Sequence, residues 1–512
     1  MSSSTHIQVG GAPEGFDAYL LAREIAKSDA PVIHVARDDK RLAALRVALK
    51  FFAPDLPVFD FPAWDCLPFD RMSPNSDISA HRMATLAALA HGAVPKRFIL
   101  LTTLSAATQR IPARTTLNEA AFTARVGERI NESNLRAFLV RMGFTQAPTV
   151  VEPGDYAIRG GIIDVYAPGQ DLPVRLDFFG DELDGLRRFD PASQRTTSSL
   201  KEVTFTPVSE VILDEAAITR FRQNYRIEFG SAGSDDPVYE AVSAGKKHAG
   251  LEHWMPYFHE HLETLFDYIP KATISLDDQS TAARLSRWEG IQAQYENRAE
   301  ALKAKGRMDS VYKPCPPELL YLDDAAWGHE IEGRRVLHFH PLAQPTGLGV
   351  IDAGGAIGRN FSPERQLENV NLFESLAAHI NEKRKSGQVV VASWSEGARD
   401  RISTLLQDQD LNGAVEIGDW RDVPEGIGGV YLAIWPLDEG FEAKTETGHI
   451  TVISEQDVLG DRLIRRPSRK KRAENFLTEH SSMSAGDLIV HVEHGVGIYK
   501  GLEGVSALGA AH

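Results

Sequence analysis

His6-Ile7-Gln8-Val9-Gly10-Gly11-Ala12-Pro13-Glu14-Gly15-Phe16-Asp17 is the stretch on which the fold turns. Residues 6–9 read as a short buried strand, the glycines as a loop, and Phe16–Lys27 as a helix. Gly10 and Gly15 have the spacing of the phosphate-binding loop G-x-x-x-x-G-K-[ST], in its strand-to-helix setting. Its chemistry is missing. That loop needs a lysine ammonium for the β- and γ-phosphates and a hydroxyl for Mg²⁺, and this chain places Phe16 and Asp17 there. An aspartate among nucleotide phosphates adds repulsion, so the residues argue against nucleoside-triphosphate binding. A chance glycine pair also accounts for the spacing.

Further along, residues 272–276 read as a strand ending in Asp277-Asp278, the position of the acidic pair that holds Mg²⁺ in motor ATPases. Alone, that pair is a common turn or cap sequence. Taken together, Gly10, Gly15, Phe16, Asp17, Asp277 and Asp278 describe a degenerate, non-functional nucleotide site, with no catalytic residue and no cofactor expected in these residues.

Outward from that strand, residues 31–36 and 97–103 read as further buried strands, and residues 38–51 place Leu42, Leu45 and Leu49 on one helical face. Strands alternating with helices imply a parallel sheet covered on both sides. From about 116 to 205 short alternating runs are divided by the turn signals Gly160-Gly161, Pro168-Gly169 and Gly180-Asp181, the texture of an inserted, mostly antiparallel α+β module. Helices are expected at 210–222 and 288–305, and a glycine-rich loop at 347–358. A second α/β unit of unknown role follows, with helices at 370–385 and 396–407 and strands at 388–392, 429–434 and 450–453. The fold class is therefore α/β. Its parts are a degenerate P-loop-type body in two pieces, 1–115 and 206–334, the module at 116–205, the second unit at 335–458, a basic linker at 459–483 and the start of a small β-barrel at 484–512.

The chain has 512 residues, 55 Lys+Arg against 71 Asp+Glu, and a formal net charge of −16. That balance disfavours a surface devoted to DNA, whose non-specific affinity comes from Lys and Arg neutralising phosphates. Positive charge is concentrated in Arg465, Arg466, Arg469, Lys470, Lys471 and Arg472, which suit a solvated linker or a local DNA contact. No window approaches the ~18 to 20 apolar residues of a membrane-spanning helix, and the first residues have no secretory pattern. Two cysteines, Cys66 and Cys315, form no disulfide framework and fit a reducing cytoplasm. His491, Glu493 and His494 crowd one strand-rich segment and would point to opposite sides, so no metal site is assigned. His253, His259 and His261 suit a helix surface.

A longer match is more specific than any of these motifs. Gly154-Asp155-Tyr156-Ala157-Ile158-Arg159-Gly160-Gly161-Ile162-Ile163-Asp164-Val165-Tyr166 continues through Pro173-Val174-Arg175-Leu176-Asp177-Phe178-Phe179-Gly180-Asp181-Glu182 to Ser193-Gln194-Arg195-Thr196. It resembles the domain shared by the UvrB repair proteins and the transcription-repair coupling factors. Flanking text of the same kind lies in Arg41-Leu42-Ala43-Ala44-Leu45 and Gly250-Leu251-Glu252-His253-Trp254-Met255. Two segments favour the coupling factors. Phe61-Pro62-Ala63-Trp64-Asp65-Cys66-Leu67-Pro68-Phe69-Asp70 is similar to the version lacking UvrB's damage-probing hairpin. Gly486-Asp487-Leu488-Ile489-Val490-His491-Val492-Glu493-His494-Gly495-Val496-Gly497-Ile498-Tyr499-Lys500-Gly501 resembles the opening of a CarD-like RNA polymerase interaction domain, with His494, Gly495, Gly497 and Tyr499 in its motif.

The resemblance implies a non-catalytic assembly that recruits UvrA and begins a contact with RNA polymerase. ATP and Mg²⁺ belong to the translocase of the full-length family, whose motor is expected outside these residues, and DNA binding is weak or supplied by that missing part. A UvrB-like ATP-dependent helicase subunit is the alternative. Arg159, Arg175 and Phe179 match positions the family uses for UvrA. The alternation in Val174–Phe179 independently sets Val174, Leu176 and Phe178 on one side and Arg175, Asp177 and Phe179 on the other. Two readings of the arginines stay open: partner contact, or ion pairs with Asp164, Asp177 or Asp181, with Phe179 capping the hairpin.

Overall fold

The computed structural model describes residues 5–230, 236–303, 312–367, 369–446 and 448–460, and the backbone of the strand residues 488–491, 495–498, 506–507 and 510–511. The chain divides into two units, Met1–Gly460 and Asp461–His512.

Strand–helix alternation in the first unit produces a seven-stranded sheet. Its order is Val350–Asp352, His6–Gly10, Val336–Phe339, Thr273–Leu276, Val32–Ala36, Ile99–Thr103 and Val58–Phe61, with every neighbouring pair parallel. Val32–Ala36 and Ile99–Thr103 are buried at every position, as strands covered on both faces must be. Helix Phe16–Lys27 buries Phe16, Leu21 and Ile25. Helix Asp39–Phe52, capped by Asp38 accepting from the Arg41 amide, buries Leu42, Leu45 and Leu49 beside it. The opposite face of the sheet packs Ile33, Leu100 and Ile274 against Met83 and Leu86 of helix Ser76–Ala90. Each such apolar side chain contributes ~1.5–3 kcal/mol.

The inserted module is a six-stranded sheet in the order Thr196–Leu200, Glu182–Phe189, Val174–Phe179, Ile162–Val165, Asp155–Arg159 and Thr145–Gln146. All pairs are antiparallel except the last. Leu135, Phe138 and Leu139 of helix Glu132–Arg141 close one face over Tyr156, Ile163, Val165, Val174 and Leu176.

The second sheet runs Gly355–Ile357, Phe441–Thr445, Gly448–Ser454, Gly387–Ser393, Val430–Ile434 and Val415–Ile417. Phe441–Thr445 is antiparallel to both neighbours, and the last four strands are mutually parallel. Two sequence expectations change here. Val336–Phe339 and Val350–Asp352 pair on either side of His6–Gly10, so the first sheet extends past the expected boundary at 335 and the second begins at Gly355. The expected loop at 347–358 holds the last strand of one sheet and the first of the next, each three residues long and too short to show a period.

The second sheet also shares a core with the first. Val390, Ala392, Tyr431, Trp435 and Phe441 join Ile7, Val9, Leu45 and Phe51 in one cluster, with Phe51 stacked on Trp435 at 4.6 Å between centroids. Val389 and Val391, one residue out of phase, face a separate core with Leu376, Ile402 and Leu406.

In the second unit Leu488–His491 pairs antiparallel with Gly495–Ile498, from Leu488 opposite Ile498 to His491 opposite Gly495. His494 and Tyr499, and the basic residues Arg465, Arg466, Arg469, Lys470, Lys471 and Arg472, lie outside the described residues.

Candidate docking face and glycine-loop site

Burial along Val174–Phe179 follows the alternation: Val174 and Leu176 are buried, Arg175 and Asp177 half-buried, and Phe179 is 84% exposed. Both hairpins at this end of the sheet turn through two residues. Arg159 pairs with Ile162 across Gly160-Gly161, and Phe179 pairs with Glu182 across Gly180-Asp181. Gly160 and Gly180 supply the positive φ at the first turn position, +60° and +62°. Arg159 and Phe179 therefore stand at neighbouring hairpin ends.

Between them, Asp164 is 1% exposed and accepts from Arg175 twice, Nε at 2.7 Å and Nη2 at 2.9 Å. Arg159 Nη2 lies 3.6 Å from the same carboxylate. Arg187 Nε is 3.3 Å from Asp177. Hydrogen bonding to Asp164, opposed by burial, raises the Arg175 guanidinium above its ordinary pKa. The ion pairs are thus present, with three arginines drawn to two aspartates. Phe189, which the sequence did not single out, is fully buried with Val150 and Ala157 and sits 4.6 Å below the Arg175 guanidinium.

At the glycine loop the chain supplies its own partners. Gly11 N–H donates to Leu342 O (3.1 Å), Ala12 N–H to His340 O (2.8 Å) and Gly15 N–H to Asp17 Oδ1 (3.0 Å). Amides that a phosphate-binding loop directs at its ligand are therefore taken up internally. Phe16 is 1% exposed and packs on Phe441. Asp17 is buried and pairs with Arg41, whose Nε lies 3.3 Å from Asp277 Oδ1 and 3.5 Å from Glu14. Arg37 joins Asp277 (3.3 Å) to Glu14 (2.7 Å). Asp278 bonds His340 Nδ1 at 3.0 Å. The structure so brings Asp17 and Asp277 together through Arg41 and leaves Asp278 on a different partner. The sequence assigned neither arginine a role at this site, Arg41 entering only as part of the flanking text at 41–45.

The histidines expected on a helix surface are otherwise placed: His253 and His259 are buried, and only His261 is exposed. Burial holds both buried rings at about pKa 4, hence neutral. Among the described residues no cluster of three His, Cys, Asp or Glu is placed to hold a metal ion, and no helix is long and apolar enough to cross a membrane.

Residues 122–210, the module with its docking face, match the UvrB interaction domain, and residues 483–512 match the CarD-like/TRCF RID domain. The transcription-repair-coupling factor of Escherichia coli (strain K12) is 30% identical over 514 residues, covering 98% of this chain and 42% of that protein. That of Haemophilus influenzae is 27% identical over 509 residues, 97% of this chain and 42% of the relative. That of Bacillus subtilis (strain 168) is 24% identical over 481 residues, 88% and 38%. The chain thus spans about two fifths of the length of these relatives (42% for the first). With both domain matches in their order along it, the chain is similar over nearly its whole length to part of the bacterial transcription-repair-coupling factors.

Proposed function

We propose that these residues are the repair-recruiting part of a coupling factor, linking stalled RNA polymerase to nucleotide excision repair by binding UvrA through the inserted module, in the cytoplasm. The observation that carries this is the module's open face. Phe179 is 84% exposed beside a half-exposed Arg159, where a structural aromatic would be buried. Arg159, Arg175 and Phe179 are the contact residues. The Leu488–His491 and Gly495–Ile498 hairpin, with Gly495 and Gly497 in its return strand, is the start of the polymerase-binding barrel. His494 and Tyr499 belong to the same motif, and the run Arg465 to Arg472 tethers it with a secondary contact to DNA.

Gly10, Gly15, Phe16, Asp17, Asp277 and Asp278 are read as a nucleotide site that has become an internal ion-pair network, so these residues carry no catalysis. ATP and Mg²⁺ act in the family's translocase, outside them. Support comes from the buried Asp17–Arg41 pair: a triphosphate entering there would have to displace it and leave buried charges unpaired, at a cost of about 3–5 kcal/mol.

Calorimetry of the full chain with purified UvrA tests the recruiting role. Phe179→Ala and Arg159→Ala should each weaken binding at least about fivefold, ~1 kcal/mol, with thermal unfolding unchanged. Wild-type affinity in both variants would remove the assignment. Saturable Mg²⁺–ATP binding by the same chain would instead favour a UvrB-like ATPase.

A further inference from the structure

Two guanidinium groups converge on one buried carboxylate at the centre of the docking face. Asp164 stands opposite Ala157 on one neighbouring strand and opposite Arg175 on the other. Arg175 meets it edge-on through Nε and Nη2, while the Phe189 ring lies 4.6 Å from the guanidinium carbon. A planar guanidinium held at one edge by a bidentate carboxylate and on one face by a ring has its orientation set before any partner arrives. Its side chain is 18% exposed. Arg159 differs: 49% exposed and 3.6 Å from Asp164, it is drawn by charge without a close hydrogen bond. Asp177 is meanwhile taken by Arg187. Of the two guanidinium groups on Asp164, Arg159 is therefore the exposed one, free to turn to a partner.

We propose that Asp164, floored by Phe189, is the positioning residue of the docking face: it fixes Arg175 and leaves Arg159 as the cation that meets a carboxylate on the partner. The inference rests on the UvrA reading, because it concerns the same face. A preset arginine saves the ordering cost that a free, rotamer-rich side chain incurs on association. It also divides the labour, since the Arg159 contact weakens with salt while the preset Arg175 contributes shape and direction.

The test is calorimetric titration of UvrA into the full chain at two salt concentrations. Asp164→Asn should lose at least tenfold in affinity, yet no more than a further twofold when Arg175 is already alanine, because the carboxylate acts through that arginine. Arg175→Lys, which keeps the charge and loses the fork, should bind within twofold of Arg175→Ala. Arg159→Ala should flatten the salt dependence. Phe189→Leu keeps the site apolar and should lose at least threefold with the melting temperature retained, so the proposal stays testable if Asp164→Asn is poorly folded. Asp164→Asn binding within twofold of wild type, or losing as much in the Arg175→Ala background, overturns the positioning role. Absence of binding by the wild-type chain overturns the UvrA reading itself.

Discussion

Gly160 and Gly161 are adjacent, yet they are glycine for different reasons. Gly160 has a φ of +60° and open space where a Cβ would stand, so alanine there meets only the left-handed backbone penalty of ~1–2 kcal/mol. At Gly161 an added Cβ would lie 2.9 Å from the Phe178 carbonyl oxygen, an atom whose carbonyl carbon stays fixed while Phe178 N–H donates to Gly161 O at 2.8 Å. Relief requires the two hairpin strands to part, which moves both Arg159 and Phe179. Gly161→Ala should consequently cost more stability than Gly160→Ala in urea denaturation and also weaken UvrA binding, while Gly160→Ala leaves that binding nearly intact. The opposite ranking would show that the close approach does not set the hairpin. At this scale the sequence was informative where the cause is local. Period-two alternation put Arg175 and Phe179 on the side away from Val174 and Leu176, as found, but Phe189 reaches Arg175 from the neighbouring strand, two residues beyond its cross-strand partner Arg187, and local pattern carries no trace of that.

Among the elements, the junction between the two pieces of the body turns on one buried ion pair. Glu210 reads in the sequence as the acidic start of a helix. The helix instead begins at Glu215, capped by Asp214, and residue 210 lies ahead of it, 2% exposed. Its carboxylate accepts from Arg82 Nε (3.0 Å) and Nη2 (2.8 Å) and from Trp64 Nε1 (2.7 Å). Arg82 also donates to Pro62 O at 2.8 Å and stacks 4.1 Å from the centre of the Phe61 ring. Glu210→Ala strands a buried guanidinium and an indole N–H and should cost ~3–5 kcal/mol. The paired change Arg82→Met with Glu210→Leu should recover most of that loss, the indole N–H alone retaining a cost of ~1–3 kcal/mol. Chemical denaturation of the two variants decides it: a double variant no more stable than Glu210→Ala would mean that packing, not charge, holds the junction. A partner 128 positions away is what made this element boundary illegible. Asp214, which caps the observed helix, lies only four residues beyond Glu210, so an acidic residue at the start does not by itself separate the two boundaries.

Over the whole first unit, strand–helix alternation made the parallel sheet and the inserted module legible, because each rests on periods contained within single elements. What alternation did not reveal is that two sheets close on one core, since Ile7 and Trp435 meet only after the chain has been wound. That continuity makes the unit respond to pH as one body. His34 and His253 are 0% exposed and His259 6%, and burial lowers each from the ordinary value of 6.5 to about 4. Unfolded, these rings take up protons as pH falls through 6.5, whereas folded they resist until about 4, so the unfolded state binds more protons between those values and stability falls with pH. Below the lower pKa the loss approaches ~3 kcal/mol per ring. Glu252 and Asp457, raised by burial, act in the opposite sense: they stay protonated in the fold when the unfolded chain has lost those protons, which offsets part of the slope above pH ~4.5. Removing one ring isolates the effect. His34 is fully buried, bonds Ser275 Oγ at 3.0 Å and lies near the Asp277 carboxylate, so His34→Asn keeps a hydrogen-bonding group without the titration. Unfolding free energies from urea titrations at pH 7.5 to 4.5 should fall less steeply in His34→Asn than in wild type, by up to about 1.36 kcal/mol per pH unit below 6. Parallel curves would mean that His34 titrates alike folded and unfolded, and that burial in the shared sheet does not keep it neutral.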